Sequence, residues 1–412
     1  MTDGDRLAGP GAIVIGGDYR GLGVVRSLGR RGIPVCVATD DHVMAAMSRY
    51  CRRRLRWPIE EDAQLDFLLE LGASGECQGW CLFPTGDETA AFIARNHSSL
   101  AEHFVLTTPP WDILRWAYDK TLTYQLAASA EVPCPVTFVP ESRAELRARE
   151  CSFPAILKPS RKHRVNSFTR EKAWMVTGRQ EMLARYDEAC DLLEPEFIMV
   201  QELIPASPNC ELSYAALVSE GEPLASLVAR RARQYPIDFG SSSSFVVSIE
   251  DPEVESLSTR LLRATRLSGL VEVEFKRDAR DGRLKLLDVN PRVWGWHTLG
   301  ARAGVDFPYL AWRLARGLDV PRIRGGAGIR WVRMTTDVLA VWQLMRRRRL
   351  SLREYLRSMR PVPAFAIWAP DDPLPSLLEI PSLIIARRSI RLSMESAAEE
   401  SVEPSDPADE ME

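Results

Sequence analysis

Glu274, Asp288 and Asn290 are the residues of this chain whose types and spacing most directly suggest chemistry. They lie in GLVEVEFKRDARDGRLKLLDVNPRVWGWH, residues 269–297. Val271, Val273 and Phe275 alternate with Glu272 and Glu274, the period of a strand with one apolar and one acidic face. Asp281-Gly282 is a turn dipeptide. LKLLDVNPR then places Leu286, Asp288 and Asn290 on one face, with Leu287 and Val289 on the other. Folded as a hairpin, this stretch sets Glu274 nearly opposite Asp288. Cross-strand neighbours sit roughly 4.5–5.5 Å apart at Cβ, and like charges there repel. A cation belongs between them. Oxygen ligands from Glu274, Asp288 and Asn290 suit Mg²⁺, or Mn²⁺ in its place, with phosphate oxygens and water completing the shell. Arg292, two residues on, brings a guanidinium to the phosphate that such an ion carries. A surface hairpin whose acids simply face water fits the same spacing.

The elements that would position these groups are legible along the chain. Ala12 to Ile15 is an apolar strand, followed by GGDYRGLG, a helical VVRSLGRRG and a second strand from Pro34 to Ala38. This is the start of an open α/β sheet. Gly16, Gly17, Gly21 and Gly23 do not give the GxGxxG spacing. Residues 64–71 form an amphipathic helix, and Trp80 to Phe83 is a buried strand ending in PTGDE. Glu88 there reads as a helix N-terminal acid, while Asp87 is open between that role and ligand contact. WDILRWAYDKTLTYQLAASAEVPCP reads as one helix with Lys120 in its middle, in its plainest account a solvated lysine. FPAILKPS is a buried strand in which the charge of Lys158 is costly unless paired. The basic loop SRKHRVNSF, with His163, follows, and it fits a side-chain grip on phosphate, a substrate-reading loop or a solvated turn alike. EFIMVQELIP and CELSYAALV are strands, the second carrying Glu211. In LASLVARRARQYP, Arg230, Arg231 and Arg233 suit a phosphate channel better than a core. Ser241 to Ser244 reads as a lip of the site, and residues 252–267 as an amphipathic helix. Beyond it, 298–318 is helical, Gly328 to Met334 adds a strand, and 337–360 is helical, with RRRR at 346–349 as a solvated face and a membrane-surface helix as the lesser alternative. The acidic, Ser/Pro-rich stretch 395–412 reads as disordered, and residues 1–10 as frayed.

The 412 residues imply two to four domains. An apolar share of 45% and a net charge of −3 favour neither nucleic acid nor an anionic membrane as the main partner. No apolar run reaches the roughly 20 residues of a membrane span, so no integral membrane segment is expected. The start lacks a charged-then-apolar leader, and the eight scattered cysteines suit neither disulfide staples nor a zinc knuckle. A cytoplasmic protein is the expectation.

The acid-bearing strand followed by Asp-x-Asn, with Asn-Pro-Arg and Trp294-Gly295-Trp296 after it, resembles the metal hairpin of the ATP-grasp superfamily. NPR with WGW is similar to the branch of predicted carboxylate–amine ligases that includes D-aspartate ligase-like proteins. Asp288 stands where that branch usually has Glu, one methylene shorter. The resemblance extends to Lys120 in YDKTLTYQLAASAEVPCP and to Lys158, which it places on ATP phosphates. It makes Gln201, Glu202 and Ile204 the adenine hinge, sets Glu211 near the ribose and aims Arg233 at phosphate or the carboxylate substrate. Arg20 becomes a further candidate for that substrate. The implied fold is α/β with α+β grasp lobes. A pre-ATP-grasp Rossmann-like domain (1–108) precedes a first lobe (109–200), a second lobe with the hairpin (201–320), an extension (321–394) and the tail. The implied activity is ATP-dependent joining of a small-molecule carboxylate to an amine through an acyl phosphate, releasing ADP and phosphate. Mg²⁺ assists, Arg233 and Arg292 serve catalysis, and a homodimer is compatible. Two other readings stay open. One is an ATP-binding protein without ligase chemistry, suggested by Asp288 and the glycine-free flap. The other is a dinucleotide-dependent oxidoreductase, suggested by GGDYRGLG with Asp40.

Overall fold

The structure is a computed structural model. It describes residues 10–40, 42–161, 166–171, 173–205, 207, 209–237 and 242–379. The flap reading at His163, Ser241 and the tail 395–412 lie outside the described residues.

The described strands form three sheets. The first is parallel throughout. Ala12–Ile15 is central, with Val35–Thr39 and Cys51–Arg56 on one side and Cys81–Pro84 and Val105–Leu106 on the other. Ala12 to Ile15 and Val35 to Thr39 are fully buried, as expected of strands covered on both faces. Asp18 caps the Tyr19–Gly29 helix, accepting from the amides of Arg20 (2.8 Å) and Gly21 (3.4 Å). Gly16 has φ +120°, and a Cβ there would lie 1.9 Å from Thr85 Oγ1, so glycine is obligatory at this turn. The α/β start read from sequence is therefore present.

The second sheet is small and antiparallel, ordered Thr137–Phe138, Ile198–Glu202, Ala155–Pro159 and Trp174–Val176. It has a core of its own, with Leu157, Phe168, Trp174 and Val200. The third sheet holds eight strands. Its principal path runs Leu284–Asn290, Gly269–Arg277, Glu211–Ser219, Glu222–Tyr235 and Ser242–Ile249. Three short strands from the extension, Ile323–Arg324, Arg330–Val332 and Ala364–Phe365, complete it. The extension thus adds to the sheet that carries the hairpin. Trp331 is fully buried and donates to Thr298 Oγ1 at 2.8 Å. Val14, Leu227, Trp294, Phe307 and Trp331 belong to one apolar cluster, so the first sheet and the third share a core.

Several local expectations are corrected. The long helix around Lys120 is two helices, Trp111–Tyr118 and Lys120–Ser129. Asp119 leaves helical geometry (φ −96°, ψ 115°) and caps the second, accepting from the Thr121 and Leu122 amides. Lys120 therefore opens a helix instead of sitting in the middle of one. Ser242 to Ser244 are strand residues, with Ser243 and Ser244 buried, so they form no lip. The 337–360 stretch also divides, into Met334–Arg346 and Leu352–Ser358.

The Asp371-Asp372 segment, whose purpose is opaque in the sequence, is a clamp. Asp372 is buried and accepts from Arg26 Nε (2.9 Å), Ser48 Oγ (2.6 Å) and the Arg49 amide (3.0 Å). Asp371 takes both Arg30 nitrogens at 2.8 Å and Tyr50 Oη at 2.7 Å. Removing one partner of a buried ion pair leaves an uncompensated charge and costs about 3–5 kcal/mol. Asp372→Ala is expected to lower unfolding stability by about that amount in urea. It should also raise amide exchange at residues 362–379. Unchanged exchange there would mean that the clamp does not hold the extension.

Candidate active site

The hairpin pairs Glu274 with Asp288 and Glu272 with Asn290 in direct register. It departs from simple alternation at one point. Glu274 faces Asp288 while the next residue, Phe275, faces Leu286, so Leu287 is an extra residue in the second strand. The bulge turns Leu286 into the core with Leu284 and Val289, leaving Asp288 and Asn290 on the site side. The sequence pattern placed Leu286 on the Asp288 face. The bulge corrects that placement.

Each acid meets a cation. Lys120 Nζ contacts Asp288 Oδ1 directly. Burial works against this ammonium, but Asp288 outweighs it, and the Lys120 pKa is raised. Glu274 accepts from Arg231 at 2.9 Å, and the same guanidinium reaches Glu211 at 3.1 Å. Burial likewise opposes the Arg231 charge, and Glu274 and Glu211 more than restore it. Asn290 donates to Glu274 at 2.9 Å. Glu272 is buried and accepts from Trp296 Nε1 at 2.7 Å. Burial first, then the neighbouring Glu274, push its pKa up to about 8.

Lys158 faces this group from the small sheet. Its Nζ donates to Tyr124 Oη at 3.2 Å, and Tyr124 Oη donates in turn to the Leu287 carbonyl at 2.9 Å. Among the described residues no carboxylate forms an ion pair with Lys158. Burial and the Lys120 charge bring its pKa down to about 7. The Lys120 amide donates to the Ser160 carbonyl at 3.0 Å, tying the start of its helix to the end of the Lys158 strand.

A cavity of about 260 Å³ lies among these groups. It is lined by Lys120, Lys158, Gln201, Glu202, Ile204, Glu211, Arg231, Glu274 and Asp288 together with Ile156, Ala173 and Leu287. Eight of the site residues expected from sequence therefore share one hollow between the small sheet and the large one. Their hinge members are partly engaged. Gln201 Nε2 donates to Thr137 Oγ1 at 2.7 Å, Glu202 accepts from Lys285 (2.5 Å) and Arg280 (3.0 Å), and the Ile204 carbonyl accepts from Lys276 at 2.9 Å. A larger hollow of about 410 Å³ lies between the Tyr19–Gly29 helix and residues 362–370. None of the convergent acids and lysines lines it.

Arg292 and Arg233 sit elsewhere. Arg292 makes a bidentate pair with Asp87 (2.8 and 3.0 Å) and donates to Asn290 Oδ1 at 3.0 Å. Burial, and after it the Arg20 charge, lower its pKa. Arg20 is held by Asp18 at 2.7 Å. Asp87, left open by sequence, is the carboxylate that joins the first sheet's helix to the end of the hairpin. Arg233 is buried in a bidentate pair with Asp337 (2.7 and 2.8 Å), donates to Ser358 Oγ at 2.9 Å and stacks on Phe245 at 3.9 Å. It anchors the extension, and Arg231 is the arginine that lines the cavity. A bulge between Arg231 and Arg233 sends the two side chains different ways, which simple alternation does not show. Arg231 and Glu272 are the site residues that sequence reading undervalued. Both were visible, one in the ARRAR run and one in VEVEF.

Among the described residues no three His, Cys, Asp or Glu side chains converge into a metal cage. Glu274 and Asp288 nevertheless supply two opposed carboxylates, the donor type that a nucleotide-borne Mg²⁺ takes from protein. The raised pKa of Glu272 marks the excess negative charge that a divalent ion would relieve. The Asn290 amide oxygen is turned to Arg292. The donor chemistry fits such an ion.

A family described as ATP-grasp in the biosynthetic pathway with Ter operon matches residues 195–335, the span that holds the hinge, Arg231 and the whole hairpin. That stretch of the chain is similar to an ATP-grasp domain. D-aspartate ligase from Enterococcus faecium (strain Aus0004) is 22% identical over 299 residues, 68% of this chain and 70% of that protein. Among solved structures, an L-amino acid ligase from Bacillus licheniformis superposes with TM-score 0.58 at 15% identity, over 75% of this chain and 74% of its own. An ADP complex of N5-carboxyaminoimidazole ribonucleotide synthetase gives TM-score 0.59 at 15% identity, covering 78% and 80%. The biotin carboxylase domain of Hydrogenobacter thermophilus 2-oxoglutarate carboxylase, in complex with MgADP, gives 0.61 at 15%, covering 77% and 73%. No helix of the described residues is long and apolar enough to cross a membrane.

Two substitutions test this geometry. An apolar pair of similar volume in place of a buried ion pair is close to neutral. Arg233→Met with Asp337→Leu should therefore melt within a few degrees of the parent, whereas Arg233→Met alone should lose about 3–5 kcal/mol. A double variant as unstable as the single one would rule out the anchoring role. Lys158 carries a pKa depressed from 10.5 to about 7, so the fold favours its neutral form and is penalised wherever the unfolded lysine is charged. That penalty is complete below about pH 7 and fades as pH rises towards 10.5. Lys158→Met should accordingly raise Tm at pH 6.5, with a gain that shrinks by pH 9.5. A pH-independent difference in Tm would count against the depressed pKa.

Proposed function

We propose that this protein is an ATP-grasp carboxylate–amine ligase that forms ADP. The observation that carries the reading is the single cavity in which Lys120 and Lys158 face the opposed carboxylates of Glu274 and Asp288, with the 201–204 hinge along its edge. Lysines on one wall and metal-binding acids on the other are what a nucleoside triphosphate requires. Glu274 and Asp288 would hold Mg²⁺, which when bound neutralises phosphate charge and fixes the γ-phosphoryl group.

The chain's own groups then divide the work. Lys158, without a carboxylate partner and with a pKa near 7, takes up a proton readily once a phosphate oxygen lies beside it. Lys120, which contacts Asp288 here, is the ammonium that would be offered to phosphate with Asp288 among the residues holding the metal. Gln201, Glu202 and Ile204 offer the hinge for the adenine, and Glu211 a carboxylate for the ribose. Arg292 and Arg20, held by Asp87 and Asp18, bring two guanidiniums together at the junction of the first and third sheets. A substrate carboxylate belongs at that junction. Its oxygen attacks the γ-phosphorus as the bond to ADP breaks. The amine nitrogen then attacks the acyl carbon, phosphate leaves, and the amine gives up a proton. Fixed cations stabilise the charge that develops at each step. The small-molecule partners are thus a carboxylate and an amine, and the likeness to a D-aspartate ligase and an L-amino acid ligase points to amino acids.

The deciding experiment supplies Mg²⁺-ATP with pooled amino acids and small carboxylates, and resolves products by mass. Amine-dependent ADP and phosphate are expected, with Asp288→Ala reducing turnover about 100-fold or more, as loss of a group acting on developing charge does. AMP and pyrophosphate would overturn the acyl-phosphate mechanism. Saturable ATP binding with no turnover across the pool would favour a nucleotide-binding protein without ligase chemistry.

A further inference from the structure

Fifteen large apolar side chains among the described residues are more than a third exposed, and ten of them lie between 321 and 379. The Met334–Arg346 helix is the clearest case. It buries Asp337, Ala340 and Val341 against the large sheet, yet its outward stripe is Met334, Val338 and Trp342, one turn apart. Val338 is 52% exposed and Trp342 57%. The next helix, Leu352–Ser358, repeats the pattern with Leu352 (62%) and Leu356 (54%). Both helices are fastened to one buried side chain, since Arg233 pairs with Asp337 of the first and donates to Ser358 of the second. With the opposite face buried, these apolar residues are left largely exposed among the described residues.

The charge beside them has one sign. From 346 to 360 the chain carries seven arginines (346–349, 353, 357 and 360) against one acid, Glu354. Glu354 is occupied in a capping box with Ser351. Arg346 lies over the Trp342 ring at 5.5 Å. The sequence that follows, 380–394, adds three arginines and no acid among leucines and isoleucines.

We propose that the outward face of residues 334–360 docks this protein on an anionic lipid surface. Exposed Val, Leu and Trp on helices flanked by arginines suit the boundary between headgroups and acyl chains, where apolar area and lipid charge contribute together. A second copy of the chain fits poorly, because it would set one run of seven arginines against another. A nucleic acid would match the charge but leave Val338, Leu352 and Leu356 in water. The attachment is peripheral, and it is independent of the chemistry in the cavity.

The test is flotation of the full chain with vesicles of phosphatidylcholine alone or with about a third phosphatidylglycerol. Binding to the mixed vesicles only is expected, weakening at about 0.5 M salt as screening shortens the reach of the arginines. Each arginine near such a surface contributes about fivefold, so Arg346→Glu with Arg349→Glu should cut partitioning at least about tenfold. Trp342→Ser with Leu352→Ser should cut it comparably on the same vesicles. Melting temperatures at the parent value would show that these surface variants are folded. No binding to anionic vesicles, or binding that survives the apolar pair of substitutions, would overturn the proposal. So would patch-dependent self-association in sedimentation, or retention of a nucleic acid, in place of vesicle binding.

Discussion

The opposed carboxylates of Glu274 and Asp288 are the constraint on which the site depends. Two acids in register on neighbouring strands repel, and the fold resolves the repulsion from outside the hairpin. Lys120 arrives from the start of a helix that Asp119 caps, and Arg231 from the second strand along in the same sheet. Asn290 and Trp296 contribute donors. Even so, the compensation is incomplete, because burial and the neighbouring Glu274 hold the Glu272 pKa well above the usual carboxylate range. A site that keeps a buried acid protonated has room for more positive charge. The wall opposite shows the complementary imbalance, since Lys158 sits beside the Lys120 charge, hydrogen-bonded to a phenol and, among the described residues, without an ion pair to a carboxylate. Excess acid on one side and excess cation on the other suit the metal-bound polyphosphate proposed for this site. Each half is costly in its absence and relieved in its presence.

Much of this was legible because hairpin chemistry is local. The turn at Asp281-Gly282 and the period of two in VEVEF together set Glu274 against Asp288, and the register is as read. Strands such as Ala12–Ile15 and Val35–Thr39 were plain from continuous apolar runs bounded by turn residues. What escaped the sequence was decided by single residues inside elements. The extra residue Leu287 reverses the face of Leu286, and the bulge after Arg231 sends Arg233 to Asp337, 104 positions away. Period-two reasoning is blind to a bulge, since one added residue exchanges the faces for everything beyond it. The break at Asp119 escaped for a related reason. The helical pattern continues across it, and only the cap shows that Lys120 begins an element.

Long-range pairs were illegible for a different reason: neither partner is unusual alone. Asp87 reads as an ordinary helix N-terminal acid until Arg292 is seen on it, and Asp372 as part of a loop until Arg26 is. These two pairs do comparable work at different places. One joins the first sheet to the end of the hairpin, and the other returns the extension to the first sheet. With Arg233 and Asp337 they make a chain of buried guanidinium–carboxylate contacts running from the parallel sheet, through the eight-stranded sheet, to the extension.

That chain gives the extension a physical reason to be apolar on both sides. Its inner face must cover the edge that Ser242–Ile249 would otherwise expose, which it does with Arg330–Val332 and with Asp337, Ala340 and Val341. A segment recruited only to cap an edge strand would end in polar residues on its outer side, because solvent is the cheapest neighbour for them. Here the outer side carries Val338, Trp342, Leu352 and Leu356 instead, beside seven arginines and on helices held by buried ion pairs. The fold of the described residues does not call for those side chains, and the lipid surface proposed above is the neighbour that would.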